Sequence, residues 1–358
     1  MSARNLLFLS TFTATLIACA ETPTPPPAPM AEAPAPAAAV TPSYLHDLGA
    51  MVIPADNPQT DAKVKLGHQL FFDSRLSKDG SRSCYSCHLN EDGNGGHDPI
   101  AVGAGGKVLT RHSPVIWNVG YLGAYYWDGR SDSLEAQATA AWAGGNMGVG
   151  KENLGAKAAE IAAVAGYAAQ FNEVFPGEGV TPTTIVKALS AYERTLVCDN
   201  TAFDRFAKGD AAALDEAQRA GLELFMGKAA CASCHAPPHF SIAYGGPGVY
   251  FNVGIGTQSA SPESVDVGRM SVTKAESDWA SYKIPSLRNV AKSAPYFHDG
   301  SVADLKGAVR LMAAGGLPNK NLSPLMVDRG LTDAEIDAVV AFLGALDCGK
   351  GLEQPVLP

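Results

Sequence analysis

Two short stretches carry the chemistry of this chain, Cys84-Tyr85-Ser86-Cys87-His88 and Cys231-Ala232-Ser233-Cys234-His235. Each has the spacing of a c-type haem attachment site. The two thiols add to the vinyl groups of a porphyrin as thioethers, and the adjacent histidine is then placed to ligate the iron. A Cys-x-x-Cys pair also suits half of a zinc site, but the chain holds no further pair of that kind to complete one. The expectation is two covalently bound c-type haems, held by Cys84, Cys87, Cys231 and Cys234, with His88 and His235 as iron ligands.

Seven cysteines are present, and three lie outside these motifs: Cys19, Cys198 and Cys348. The first closes Leu16-Ile17-Ala18-Cys19, after Arg4 and an apolar run from Leu6 to Ile17 that is too short for a good membrane span. This resembles a bacterial lipobox, so residues 1–19 read as a lipoprotein signal peptide whose cysteine is lipidated. An ordinary signal peptide with a chance cysteine is the alternative. Residues 20–43 are rich in Pro and Ala and read as an extended tether. The expected location is the periplasm, anchored by lipid to a membrane, with the outer membrane as the expected one. In such an oxidising compartment Cys198 and Cys348 suggest a disulfide. Two independent buried thiols are the other reading.

The chain has 358 residues, 46% hydrophobic composition and a formal net charge of −9, enough for two domains with cores of their own. No basic cluster is present, so a nucleic-acid partner is not expected. An acidic surface favours basic partners, among them some small cytochromes.

The elements that must position the motifs are helical. Asp61 to Phe72 has helical periodicity, with Val64, Leu66, Leu70 and Phe71 as its buried side. A glycine-rich loop follows the first motif, and helices resume near Ser133 and run intermittently to about Lys208. The second half restates the first. Gly67-x-x-Leu70-Phe71 before one motif matches Gly221-x-x-Leu224-Phe225 before the other. Pro114, Asn118, Asp128, Gly129 and Leu134 return at one constant offset as Pro285, Asn289, Asp299, Gly300 and Leu305. Thr181 to Cys198 likewise matches Leu331 to Cys348. The fold class expected is mainly α: two cytochrome c-like haem domains related by internal duplication. Their spans read as 44–208 and 209–348, with a boundary near Gly209 and a tail at 349–358. Equivalent positions for Cys198 and Cys348 strengthen the disulfide reading.

Leu66-Gly-His-Gln-Leu-Phe-Phe-Asp73, Trp127-Asp-Gly-Arg130 and Pro295-Tyr-Phe-His-Asp-Gly300 resemble the bacterial dihaem cytochrome c peroxidase family, which includes the MauG-type protein-modifying enzymes. The likeness spans residues 60–346. It implies a peroxidatic N-terminal haem that reacts with hydrogen peroxide. It also implies a C-terminal haem that takes electrons from a small periplasmic donor, a cytochrome c or a cupredoxin. Met312 stands where the peroxidases carry their electron-transfer methionine and the MauG type carries tyrosine. Met270 is the competing thioether and reads as packing, and His239 reads as facing the propionates or solvent. Trp127 matches the tryptophan between the two haems. The resemblance also implies a homodimer.

The peroxidatic side departs from the pattern. Ala104 falls where many members have a histidine that blocks the iron before activation. Gly144-Gly145-Asn146-Met147 places Asn146 or Met147 where the family has a glutamate that moves the proton between peroxide oxygens. Gln137 is retained, and Glu152 is the nearby acid that could substitute. Met147, His97 and His112 are alternative ligands for the first iron. Ser293 and Pro295 match one side of the family's calcium site, where His112 replaces an asparagine. The leading reading is a cytochrome c peroxidase. A MauG-like oxidase of a protein or organic substrate, and a non-enzymatic electron-transfer or redox-sensing cytochrome, are the alternatives.

Overall fold

The computed structural model describes residues 45–258 and 262–358, so the signal segment, Cys19 and the tether up to residue 43 lie outside the described residues. Helices dominate. In chain order they are α1 (Asp61–Phe72), α2 (Leu134–Ala143), α3 (Leu154–Ala162), α4 (Ala165–Val174), α5 (Pro182–Glu193), α6 (Ala202–Ala207), α7 (Glu216–Met226), α8 (Met270–Thr273), α9 (Leu305–Ala313) and α10 (Asp333–Gly344). Two short strands, β1 (Tyr250–Phe251) and β2 (Tyr282–Lys283), pair antiparallel.

Each half is framed by a crossing helix pair, α1 with α5 and α7 with α10. The crossings are built alike. A Cβ on Gly67 would collide with the Ala188 carbonyl, and one on Gly221 with the Ala338 carbonyl, so both sites need a residue without a side chain. The framing helices start at strong caps. Thr60 accepts from the Lys63 N–H, while Thr181 with Thr184, Asp215 with Gln218 and Thr332 with Glu335 form reciprocal capping boxes. Each such cap stabilises its helix by roughly 1 kcal/mol.

Two apolar cores result. Leu66, Leu70 and Phe71 of α1 lie in the first with Tyr167, Phe171 and Ile185, while Val64 is half-buried at its edge. Phe225, Phe240, Val339 and Phe342 centre the second. Phe203 and Ala207 of α6 belong to this second core, ahead of the glycine at 209 that marks the repeat boundary in the sequence. In return Leu352, beyond α10, is buried in the first core. Residues 352–358 run across the first half. Asn90 exchanges two hydrogen bonds with the Leu352 backbone (2.7 and 2.9 Å), and Gln69 and Arg75 donate to the carbonyls of Val356 and Pro358.

Cys198 and Cys348 are joined by a disulfide, Cα–Cα 5.4 Å, spanning 150 positions. Beside it Arg288 and Asp204, both wholly buried, form a two-pronged ion pair at 2.8 Å on each prong.

A cavity shared by two histidines

Each attachment motif forms a single 3-10 turn, Tyr85–Cys87 and Cys231–Ser233, followed by its histidine. His88 Nδ1 meets the Asn94 carbonyl at 3.3 Å, and His235 Nδ1 meets the Phe240 carbonyl at 3.0 Å. A carbonyl can only accept, so Nδ1 carries the proton in both rings and Nε2 keeps its lone pair. Burial holds both imidazoles neutral, with His88 pushed down to about 4 and His235 lowered as well. A carbonyl accepting from one ring nitrogen in this way fixes the tautomer and orientation that a metal-ligating histidine needs.

Both histidines line one continuous cavity of about 650 Å³. Its walls are largely apolar, with Ile116, Leu122, Ile255, Ile284 and Leu343 among them, and five cations reach it: Lys107, Arg111, Arg130, Lys283 and Arg329. Arg111 is held by Asp128 and Asp266, and Arg130 by Asp128. Among the described residues no carboxylate pairs with Lys283, Lys107 or Arg329, and of these Lys283 is the one whose ammonium burial pushes down, to about 8. An apolar cavity rimmed by cations, the half-buried Lys283 among them, fits a porphyrin and its propionates. The four motif cysteines are half-buried and outside any disulfide, as thioether formation requires. Cys231 and Cys234 line this cavity, and Cys87 lines a second one of about 320 Å³ that shares Ala101 and Ser113 with it.

The residues singled out in the sequence separate into two groups. Trp127, Gln137, Asn146 and Met312 all line the shared cavity. Trp127 donates from Nε1 to the His112 carbonyl (2.9 Å), accepts from the Lys283 N–H (2.7 Å), and sits edge-on to His298 at 6.4 Å. Gln137 is carried on α2, which starts at the Ser133 cap, and its carbonyl accepts from the Tyr126 hydroxyl (3.2 Å). Asn146 is fixed through its carbonyl, which accepts from the Ala104 N–H at 2.9 Å. Met312 faces inward from α9, which the Asp304 side chain caps. Ser293, Pro295 and His112 also line the cavity, and the Ser293 hydroxyl donates to the Val290 carbonyl. Among the described residues no cluster of three or more His, Cys, Asp or Glu is arranged for a metal ion.

Other candidates lie elsewhere. Met147 is packed in the first core, and His97 is exposed beside Asp92. Glu152 is exposed and accepts from Asn153, so it does not reach the cavity as a substitute acid. The Ala104 methyl faces Gly148 and does not line the cavity. His239 is half-buried and does not line the shared cavity. It stacks on Tyr244 (centroids 4.7 Å) and donates to the Leu48 carbonyl, because the chain entering α1 runs past it. Met270 does not line the cavity, whereas Met326 does and offers a second thioether there. The sequence reading also passed over Glu193, which closes α5 and lines the cavity as well.

Comparison with known proteins settles the lineage. The chain is 36% identical over 347 residues to cytochrome-c peroxidase IdrP1 of Denitromonas iodatirespirans, covering 88% of this chain and 89% of that protein. It belongs to the dihaem cytochrome c peroxidase and MauG family. The family profile described as di-haem cytochrome c peroxidase matches residues 61–212, and the cytochrome c profile matches 218–347. Members of this family carry two c-type haems. Cytochrome c551 peroxidase of Pseudomonas aeruginosa is 36% identical, with 84% of this chain and 83% of that one covered. Methylamine utilization protein MauG of Methylorubrum extorquens is 35% identical, with 85% and 84% covered. Among solved structures, a MauG-like protein associated with microbial copper homeostasis superposes with a TM-score of 0.76 at 30% identity, over 86% of this chain and 94% of that chain. This family membership agrees with the mainly helical, two-part fold read from the repeat.

Proposed function

We propose that this dihaem family member is a periplasmic cytochrome c peroxidase that reduces hydrogen peroxide to water. The haems, when bound, supply the redox iron. The observation that carries the reading is a single cavity facing two neutral histidines, each with Nε2 free, with Trp127 and Met312 on its walls. Met312 would complete the coordination of the His235 iron, which suits it to electron transfer. A small basic cytochrome or a cupredoxin would deliver electrons there. Trp127, held at Nε1 and at its carbonyl, would bridge toward the His88 side. On that side Gln137 and Asn146 would hold peroxide by hydrogen bonds. An amide orients peroxide but does not accept its proton, so turnover would be slow beside a carboxylate-bearing relative. Lipid at Cys19 would fix the protein to the membrane, and calcium at Ser293 and Pro295 would brace the halves.

The test is rapid mixing of half-reduced holoprotein with hydrogen peroxide. Oxidation of the His235 haem by peroxide, slowed in Trp127→Phe, is the expected result. Two six-coordinate, low-spin haems that ignore peroxide would sink the proposal. The electron-carrier reading, favoured by Asn146 in place of an acid, would then stand. Oxidation of a partner protein with peroxide consumed would instead favour a MauG-like role.

A further inference from the structure

Glu193 is the one carboxylate among the described residues that line the shared cavity. Its setting is unusual for an acid at a helix end. The residue is half-buried because it faces the cavity, yet its Oε2 is shielded from water and has no hydrogen-bond partner. The neighbouring guanidinium of Arg194 is turned to Glu135, which accepts from it at 2.7 and 2.9 Å. The other titratable groups around Glu193 are Cys84 of the attachment motif, Tyr125 and Tyr126 ahead of α2, and Tyr192 on its own helix. Burial, opposed by Arg194 and aided by Glu135, pushes the Glu193 carboxyl up to about 8.

The internal duplication supplies a control. The α1–α5 and α7–α10 crossings equate Ala188 with Ala338 and Tyr192 with Phe342, so Glu193 corresponds to Leu343. Leu343 also lines the cavity, is 4% exposed, and belongs to the second core. Packing alone is met by an apolar side chain there. A carboxyl at the same position carries a desolvation cost that leucine avoids. Its retention only on the His88 side points to a use for the charge.

We propose that Glu193 is a redox-linked proton site: an electron reaching the haem bound by His88 is accompanied by a proton taken up on the Glu193 carboxylate. In this step a one-electron donor is oxidised and iron goes from ferric to ferrous. One proton leaves solvent water, one O–H bond forms on the carboxyl, and reoxidation reverses both. The cause is electrostatic. An added negative charge in a poorly solvated cavity favours the neutral form of a nearby acid.

The inference rests on a haem at His88 and not on peroxide as substrate, so the test uses none. Potentiometric titration of the dihaem holoprotein at a series of pH values reads both haems. The His88 haem should stay level while Glu193 is protonated in both states and fall by about 59 mV per pH unit, one proton per electron, above about pH 8, where the carboxylate forms. The His235 haem should stay flat. Glu193→Gln and Glu193→Leu should flatten the His88 haem while both absorption spectra are kept. Above about pH 8 the wild-type redox difference infrared spectrum should gain the carbonyl band of a protonated carboxyl on reduction. A flat wild-type potential, a slope that survives in Glu193→Gln, or no such infrared band would overturn the assignment and leave the peroxidase reading standing. Absence of a haem at His88 would overturn both.

Discussion

Asn118 and Asn289, equivalent positions of the internal repeat, each clamp one cysteine of the disulfide. The Asn118 carboxamide accepts from the Cys198 N–H (2.7 Å) and donates to the Cys198 carbonyl (3.1 Å). The Asn289 carboxamide accepts from the Cys348 N–H (2.9 Å) and donates across to the Gly93 carbonyl (3.0 Å). Both asparagines adopt positive φ, near 63° and 64°, a conformation that asparagine tolerates better than most residues. Asn118→Ala is expected to destabilise the protein by about 1–3 kcal/mol, because it strands buried backbone groups. Removing the disulfide with Cys198→Ser and Cys348→Ser is expected to cost roughly 2–5 kcal/mol. Denaturant titration of the holoprotein checks both.

Two thioethers reach the cavity in the second half, and the iron-ligand role proposed for Met312 distinguishes them. Met312→Ala should lower the potential of the His235 haem and abolish the charge-transfer band of a methionine-ligated ferric haem. Met326→Ala should leave both nearly unchanged. Potentiometry with absorption spectra reads the pair directly, and the reverse pattern would move the ligand to Met326.

Asn146 lines the cavity where relatives are expected to place an acid. Restoring one with Asn146→Glu should raise peroxide turnover by up to about 10²- to 10⁴-fold, the usual contribution of a general acid–base. Steady-state oxidation of a reduced small cytochrome would measure it. No gain would mean that proton transfer does not limit the reaction.

Asp204 makes stability depend on acid. Burial alone would raise its carboxyl, but the Arg288 hydrogen bonds and charge, with the Thr201 bonds, hold it below the usual carboxylate range. A depressed folded-state value stabilises the protein above the unfolded value of about 3.9. That stability is lost as pH falls through the folded value. Thermal melting of the wild type should therefore decline steeply below about pH 4. Asp204→Ala should cost roughly 3–5 kcal/mol at neutral pH, since Arg288 is left buried and unpaired, and should show a shallower acid decline.

The sequence announced a good part of this architecture. The Cys-x-x-Cys-His motifs, the Asp61–Phe72 helix and the paired Asn118 and Asn289 are local or periodic signals, which one chain displays openly. Distance-dependent facts were hidden. Glu193 reads as the solvated end of a helix next to Arg194, because nothing local says that Glu135 claims the guanidinium from 59 residues away. A signal for it did exist: the offset that sets Tyr192 over Phe342 also sets Glu193 over Leu343. Glu152 looked near enough to the cavity in sequence, but the positive φ at Gly148 and Gly150 turns the chain outward before it. The partners of His239, the Leu48 carbonyl and the Tyr121 ring, come from the other half and leave no local signal.

The exchange of Phe203 and Leu352 between the cores changes what the duplication now means. A cut at the repeat boundary would not return two small cytochromes. The first fragment would keep α6, which fills its neighbour's interior, and would lack the segment that seals its own around Leu352. Each half finishes the other, so a cut at the repeat boundary would leave both interiors incomplete and the ancestral unit is not recoverable by dissection.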